Sequence, residues 1–147
     1  MSSNDYKQLK EFLFPFAQKM LKEHDEFFPF AAAVEKSGKL VGVNASEGTE
    51  HPNSTDVANM LLALWTTEVA PEHRSFGICM DIRFPISANE KSDALKIMLR
   101  SRTERARDVI VPYHKEAGGS YVFLGPMFYQ PENPGSLQSA ATRVEGY

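Results

Sequence analysis

The chain has 147 residues and a mass of 16.5 kDa, a length typical of one domain that buries a sizeable core without disulfides or metals. Its net charge of −3 argues against a general nucleic-acid binder, and no apolar run approaches the roughly 18 residues of a membrane span. A single cysteine, Cys79, and an N-terminus without the apolar core of a signal peptide predict a cytoplasmic protein.

Residues 2–23 carry apolar side chains at helical spacing, which predicts a first helix. Its apolar face comprises Tyr6, Leu9, Leu13, Phe16, Met20 and Leu21, and we take Leu13 and Phe16 as core candidates. Pro15 lies inside this segment. Because proline removes a backbone donor, we expect a kink there or the start of a second helical segment.

The next stretch predicts a β-hairpin. Pro29 cannot donate to a strand ladder, so it suits the start of a strand. Residues 30–36 and 40–44 form the two predicted strands, because Ser37-Gly38 between them permits a positive φ. Residues 31–33 are all alanine, which has poor strand propensity, so we expect close cover on both faces or a tightly packed helix.

A second helix is predicted after a polar loop at residues 45–52, with Asn53 or Ser54 as its N-cap and Pro71 marking its end. The broad apolar face of this helix comprises Val57, Leu61, Leu62, Leu64, Trp65 and Val69. We expect Trp65 to be a core residue.

From Ser75 onward the apolar period changes to two, which predicts strands. The first of them carries one apolar and one mixed face, typical of a sheet covered on one side. Residues 95–100 predict another strand, with a helix from Ser92 as the alternative. Residues 107–113 predict a strand ended by Pro112, and residues 121–129 a last strand broken at Gly125-Pro126.

The element order α-β-β-α-β-β-β-β with short links predicts an α+β two-layer sandwich: an antiparallel sheet of five or six strands with two helices on one face. Order and size resemble profilin-like and roadblock-like sandwiches, which is an analogy of fold alone. Residues 1–131 are the predicted domain. Residues 132–147, rich in polar residues, Pro and Gly, are predicted to be a loosely ordered tail.

Several segments resemble those of a group of small bacterial proteins in which a helix ends in a GEF-PFG-like segment: EFFPFAAAV, MDIRF, SDALKIMLRSR, DVIVPYHK and YVFLGPMFYQP. The likeness covers roughly residues 13–131. Asp25 and Ala31 stand where the group usually has glycine, and RSRTE replaces its Glu-His-Arg. The group carries no established activity, so the resemblance implies a strand over residues 93–100 and no function.

The candidate contact residues are charged or aromatic side chains near predicted strand ends: Glu26, Arg100, Arg102, Arg105, Arg107 and Tyr113. The four arginines fall within eight residues, which indicates either a solvated turn or an edge that binds anions or an acidic protein partner. Glu26 follows the first helix beside a run of phenylalanines. It lies either in a solvated loop or against a partner, which would be the arginine cluster across the sheet or a ligand.

Catalytic and metal-binding signals are absent from the sequence. None of the four histidines lies at metal-ligand spacing from another ligand residue, and no nucleophile elbow, P-loop or dinucleotide motif occurs. We predict no cofactor, no metal site and no catalytic residue, and we expect Cys79 to be a buried, inert thiol.

Two functional hypotheses follow. The first is a non-enzymatic protein-binding or adaptor module that forms a homo-oligomer, one variant being an immunity protein that neutralises a toxin. The second is a small-ligand sensor or enzyme with a pocket between the first helix and the sheet, lined by residues 27–30. Neither nucleic acid nor a membrane is an expected partner. The missing catalytic motifs favour the first hypothesis.

Overall fold

The structure, a computed structural model, describes residues 3–43, 54–69, 73–85, 87–137 and 141–144. Helix α1 spans Ser3–His24, and α2 spans Ser54–Ala63 and continues as a π-helical segment over Leu64–Val69. The strands are β1 Phe30–Glu35, β2 Leu40–Val43, β3 His73–Pro85, β4 Lys91–Ser101, β5 Arg107–Lys115, β6 Tyr121–Phe123, β7 Met127–Pro131 and β8 Ala141–Val144. The predicted α+β class and element order are confirmed.

One antiparallel sheet contains all eight described strands, in the order β2-β1-β3-β4-β5-β7-β8, with β6 paired to β5 beside β7. Two features make it larger than the predicted five or six strands. The segment 121–129 divides into β6 and β7, and β8 comes from the region predicted to be a loose tail. The helix alternative for the segment from Ser92 is wrong, because that segment forms β4, paired with β3 along its whole length.

The predicted hairpin and its alanine strand are confirmed. Gly38 has φ 95° in the turn, and the Glu35 N–H donates to the carbonyl of Lys39 at 2.8 Å. β1 is covered on both faces: Ala32 belongs to the core beneath α1, whereas Ala31 and Ala33 belong to the core beneath α2. Small side chains let both helices approach this strand.

The two helices pack against opposite faces of the sheet, which corrects the prediction that they share one face. Successive residues of a strand point to opposite faces. On β3, Cys79 packs in the core with α1, whereas Phe76 and Ile78 pack in the core with α2. α1 contacts β1, β3 and β4, and α2 contacts β1 and β3. The predicted mixed face of β3 is therefore a second core face near its start.

Helix α1 runs continuously through Pro15, so the alternative of a second helical segment is wrong. Leu13 is fully buried, as predicted, but Phe16 is 41% exposed and Ala17 takes its place in the core. Adjacent helical residues are separated by about 100° around the axis, so only one of the two faces the sheet. Apolar spacing alone cannot decide which of Phe16 and Ala17 faces the sheet. In the structure Ala17 does, and the Phe16 ring points outward.

Strand β5 continues past Pro112 to Lys115, so the predicted end at Pro112 is wrong. Pro112 lies between the stretch of β5 that pairs with β7 and the stretch that pairs with β6. Its carbonyl accepts a hydrogen bond from the Leu124 N–H at 2.8 Å on that same edge. A backbone donor is not needed at this break, so proline fits inside the strand. The predicted break at Gly125-Pro126 is confirmed, since β6 ends at Phe123 and β7 begins at Met127.

The predictions for the loop at residues 45–52, for the N-cap Asn53 and for Pro71 lie outside the described residues. α2 begins at Ser54. Trp65 is half-buried rather than a core residue, and its ring stacks on Phe76 with centroids 5.7 Å apart and planes 17° apart. Trp65 therefore packs at the edge of the core beneath α2 and is partly exposed at the surface.

Candidate functional site

An apolar groove of about 490 Å³ lies between α1 and the sheet, and we call it the α1 groove. Its sheet residues share the face that carries α1: Ile97 on β4, and Val109 and Val111 on β5. Its remaining walls are mostly aromatic or apolar: Phe14, Pro15, Phe123, Leu124, Pro126 and Phe128. The groove is large enough for a small organic molecule, since ligand pockets typically measure about 300–1,000 Å³.

The break between β6 and β7 forms one wall of the α1 groove. Residues 124–126 leave the sheet there, and Leu124 remains 46% exposed at the opening. Opposite them, the ring of Phe14 on α1 meets the edge of Phe123, with centroids 5.3 Å apart and planes 79° apart. The helix and the segment at the strand break therefore form two walls of the groove, which meet at Phe14 and Phe123.

Two charged residues of α1, Lys10 and Glu11, also line the groove. The Lys10 ammonium lies 5.5 Å from the centroid of the Phe128 ring, a cation–π distance. Burial lowers the pKa of Lys10, and the neighbouring Glu11 carboxylate partly counteracts that shift. A partly desolvated cation on an apolar wall is suited to an anionic group.

The predicted lining of this pocket by residues 27–30 is wrong. Phe27 and Phe30 are buried in the core, with their rings in edge contact 5.5 Å apart, and neither lines the α1 groove. The aromatic walls come from Phe14, Phe123 and Phe128 instead. The sequence offered a weak signal for the last two, because the segment YVFLGPMFY carries its aromatic residues on either side of a break.

A second cluster lies beyond the C-terminal end of α1, and we call it the tyrosine end: Asp25, Asp81, Tyr113 and Tyr121. The Tyr113 hydroxyl donates to Asp81 Oδ1 at 2.7 Å, and the Tyr121 hydroxyl donates to Asp25 Oδ1 at 2.6 Å. Lys115 Nζ also donates to Asp25 Oδ1 at 2.9 Å. Two phenols thus hold two carboxylates at one edge of the protein.

Burial and like charges raise the pKa of Asp81. Desolvation is the largest cause, the carboxylates of Asp93 and Glu26 add to it, and the Tyr113 hydrogen bond partly opposes it. The same burial and the bond to Asp81 raise the pKa of Tyr113. The bond to Asp25 raises the pKa of Tyr121 to about 12, so both phenols stay protonated donors at neutral pH.

Asp25 has a positive φ of 63°, at the residue that follows α1. This position favours glycine, and aspartate tolerates it better than most residues. Hydrogen bonds from Tyr121 and Lys115 lower the pKa of Asp25. The carboxylate is therefore held as an anion at a strained backbone position.

Glu26 is exposed and interacts with the charge of Asp81 at the tyrosine end. The arginine cluster lies at the opposite end of the strands, since Arg100 pairs with Phe76 whereas Asp81 pairs with Leu95. The alternative in which Glu26 meets the arginines is therefore wrong. Tyr113, which is 4% exposed, is a packed donor to Asp81 and is separated from the four arginines.

The arginines occupy what we call the arginine end: Asp5, Arg74, Arg100 and Asp108, with the turn after β4. Arg100 is 2% exposed, and its Nη1 donates to Asp108 Oδ1 at 3.0 Å. Asp5, fully buried in the first turn of α1, accepts two bonds of 2.9 Å from Arg74 and one of 2.6 Å from the Ser75 hydroxyl. These are geometrically specific, charge-assisted contacts.

The other three predicted arginines point to different surroundings. Arg102 is exposed, with its guanidinium 5.8 Å from the centroid of the Trp65 ring. Arg105 is exposed, and its backbone carbonyl accepts a bond from the Tyr6 hydroxyl at 2.9 Å. Arg107 is half-buried and donates to Gln130 Oε1 at 3.4 Å. The run of arginines is therefore neither one solvated turn nor one continuous basic edge.

Cys79 is fully buried, and burial raises its pKa, as expected for an inert thiol. Within the ranges that the structure describes, no three His, Cys, Asp or Glu side chains are gathered in a way that would hold a metal ion. Among those same residues, no helix has the length and apolar character needed to cross a membrane.

Comparison with known proteins gives no matching family model, no similar curated protein and no similar solved structure. The resemblance to the bacterial group with the GEF-PFG-like segment thus rests on its sequence motifs alone.

Proposed function

We propose that the protein is a small-ligand binding protein that takes an amphipathic molecule, with an apolar body and an anionic head, into the α1 groove. The observation that carries this proposal is the groove itself, about 490 Å³ of space walled by apolar side chains between α1 and β5. Apolar concave sites with few polar groups are the usual form of small-molecule sites. Transfer of an apolar ligand body from water into this groove supplies the binding free energy.

Lys10 selects the head group. Its ammonium is partly desolvated, so an anion placed beside it would strengthen the charged form that burial disfavours. Glu11 on the same helix limits the excess of positive charge, which favours a single negative charge on the ligand. A medium-chain carboxylate meets both conditions.

Isothermal titration with decanoate tests the proposal. Leu124→Glu places a carboxylate at the opening of the groove, and we expect it to weaken decanoate binding about tenfold or more. Phe28→Glu is the matched control, because Phe28 is 50% exposed, against 46% for Leu124, and does not line the groove. No saturable heat at millimolar decanoate, or equal losses in the two variants, would overturn the proposal.

The head group is tested separately. Lys10→Met should reduce the preference for decanoate over decanol, whereas Lys19→Met, at an exposed position of the same helix outside the groove, should leave it unchanged. If both variants keep the preference for decanoate, the proposed role of Lys10 in binding an anionic head is wrong, even if the groove binds the apolar body.

A second candidate function is self-association, consistent with the expected homo-oligomer. Phe12 and Phe16 are 38% and 41% exposed on α1, and their rings stack with centroids 6.2 Å apart. Exposed neighbouring aromatics are common at protein interfaces. Light scattering should give about 33 kDa, twice the chain mass of 16.5 kDa, and Phe12→Ser/Phe16→Ser should return it to the monomer mass. A monomer at high micromolar concentration contradicts this candidate.

A further inference from the structure

A second cavity, of about 400 Å³, lies at the arginine end, away from the α1 groove. Its lining combines charged, polar and apolar side chains, whereas that of the α1 groove is mostly apolar. Its charged, polar and aromatic lining residues include Trp65, Arg100, Glu104, Arg105, Gln130 and Glu132. We call this space the Trp65 cavity. It lies between the turn that joins β4 to β5 and the segment that follows β7.

Arg100 lines this cavity, and one nitrogen of its guanidinium makes no hydrogen bond. Its Nε donates to the carbonyl of Pro134 at 2.9 Å. Its Nη1 donates to Asp108 and to the carbonyl of Leu99, both at 3.0 Å. Its Nη2 is buried and has no hydrogen-bond acceptor, the single buried side-chain atom in this condition among the described residues. A buried donor without an acceptor is costly, so an acceptor supplied from outside the chain would be favoured.

The charges around the cavity define that acceptor. Asp108 already balances one positive charge, with Lys96 Nζ 3.9 Å from its second oxygen. Arg105 on the cavity wall and Arg102 over Trp65 add two more cations, and Glu104 and Glu132 on the wall add carboxylates. A monoanion suits this mixed setting better than a dianionic phosphate, which the two glutamates would repel.

The aromatic wall is fixed in place. Trp65 belongs to the π-helical segment Leu64–Val69, and its ring is stacked on the buried ring of Phe76. π-Helical turns are frequent at functional sites, because they change the direction of a side chain without ending the helix. Trp65 thus offers a positioned apolar surface in the cavity that Arg100 also lines.

We propose that the Trp65 cavity is a second binding site, for a small organic carboxylate whose oxygen accepts from Arg100 Nη2 while its body packs on Trp65. The site is separate from the α1 groove in lining residues and in ligand chemistry. A free small molecule is favoured over an acidic protein surface, because Arg100 lines a cavity and is only 2% exposed.

The single tryptophan of the chain makes the test direct, since the intrinsic tryptophan fluorescence comes from this cavity alone. The probe is N-acetylglycine, and N-acetylglycinamide is its neutral counterpart. We expect a saturable change of fluorescence with the carboxylate at millimolar concentration and none with the amide. Inorganic phosphate should bind more weakly than N-acetylglycine.

Variants locate the binding. Arg105→Gln removes an exposed cation of the cavity wall and should weaken N-acetylglycine binding by roughly threefold to tenfold. Arg83→Gln, at an exposed arginine of β3 outside the cavity, is the matched control and should bind as the wild type does. Arg100→Lys keeps the charge and loses Nη2, so it should abolish binding; circular dichroism checks that it folds. Ala106→Leu fills the cavity without a change of charge and serves if Arg100→Lys does not fold.

Three results overturn the proposal. The first is no saturable fluorescence change with N-acetylglycine. The second is equal binding by wild type, Arg105→Gln and Ala106→Leu. The third is a hexaglutamate peptide that binds when N-acetylglycine does not, which would assign this surface to an acidic protein.

Discussion

At the arginine end the buried carboxylates of Asp5 and Asp108 face guanidinium groups, whereas at the tyrosine end Asp25 and Asp81 accept hydrogen bonds from phenol hydroxyls. The first arrangement neutralises charge. In the second, the Lys115 ammonium also pairs with Asp25, but Asp81 accepts from a neutral phenol while the carboxylates of Asp93 and Glu26 act on it. The ends of α1 add to the contrast, since Asp5 lies in its favourable first turn and Asp25 follows its unfavourable C-terminal end.

The contrast teaches that hydrogen-bond satisfaction and charge compensation are separate requirements. A phenol supplies a donor without a positive charge, so the desolvation of Asp81 is only partly offset. The arginine end should therefore hold the fold together at neutral pH, and the tyrosine end should respond to pH. Three measurements test this difference.

The largest effect is expected at the arginine end. Asp108→Ala leaves the buried guanidinium of Arg100 without its carboxylate, which should lower the free energy of unfolding by about 3–5 kcal/mol. Urea denaturation followed by circular dichroism measures the change.

The matched control for this prediction removes both charges. Arg100→Met/Asp108→Leu should recover most of the lost stability, because the buried guanidinium of Arg100 is no longer present without its carboxylate. A double variant no more stable than Asp108→Ala would show that the pair contributes packing rather than charge compensation.

An intermediate effect is expected at Asp81. Because its folded-state pKa is raised, protonation favours the folded state, and this contribution is fully present below the unfolded pKa of about 4. It is lost as the pH rises through the folded-state pKa. Asp81→Asn keeps an acceptor for Tyr113 without the charge, so it should be more stable than the wild type by about 1 kcal/mol at pH 8.

The pH profile decides whether burial of Asp81 is the cause. The advantage of Asp81→Asn in thermal melts should shrink towards pH 3, where the wild-type carboxyl is protonated. Asp93→Asn, at an exposed neighbour, should show a smaller advantage. An advantage of Asp81→Asn that does not vary between pH 3 and pH 8 would contradict the assignment.

The smallest effect is expected at Asp25, where backbone and side chain act in opposite directions. Asp25→Gly and Asp25→Ala both lose the contacts with Tyr121 and Lys115, but glycine adopts the positive φ of 63° without strain. The glycine variant should therefore melt roughly 3 °C above the alanine variant.

The charge of Asp25 gives the opposite pH response to that of Asp81. Its lowered pKa means that its contribution is present above the unfolded pKa and is lost as the pH falls through the folded-state value. Asp25→Asn, which tolerates the same backbone, should match the wild type at low pH and fall below it at neutral pH. Equal melting of the glycine and alanine variants would argue against strain at this residue.

Much of the fold follows from local sequence patterns. The turn at Gly38, the strand start after Pro29 and the break at Gly125-Pro126 follow from the freedom of glycine and the restrictions of proline, which a sequence displays directly. The side of the sheet that each helix covers is not local. It depends on which face of β1 meets which helix, and alanines at residues 31–33 fit either face. Pro112 shows the same limit, because only the pairing of β5 with two partners makes a proline acceptable there.

The candidate sites were less accessible to sequence reasoning than the fold. The run of arginines drew attention to Arg100 and Arg105, which line the Trp65 cavity, but it could not separate them from Arg102 and Arg107. Burial and partners distinguish these residues, and both arise from strand pairing. The aromatic walls of the α1 groove come from Phe14, Phe123 and Phe128. Phe14 is distant in sequence from the other two, so no local residue spacing could reveal the groove.

The short segment at residues 124–126, between β6 and β7, has a consequence for how this sequence can vary in evolution. Leu124 and Pro126 line the α1 groove, yet their segment lies outside the strands and its residues are exposed. Substitutions or insertions there disturb few core contacts, so they cost little stability. The fold thus separates a frame of paired strands from an opening that tolerates change. Changes confined to these three residues would reshape the opening of the α1 groove at little cost in stability.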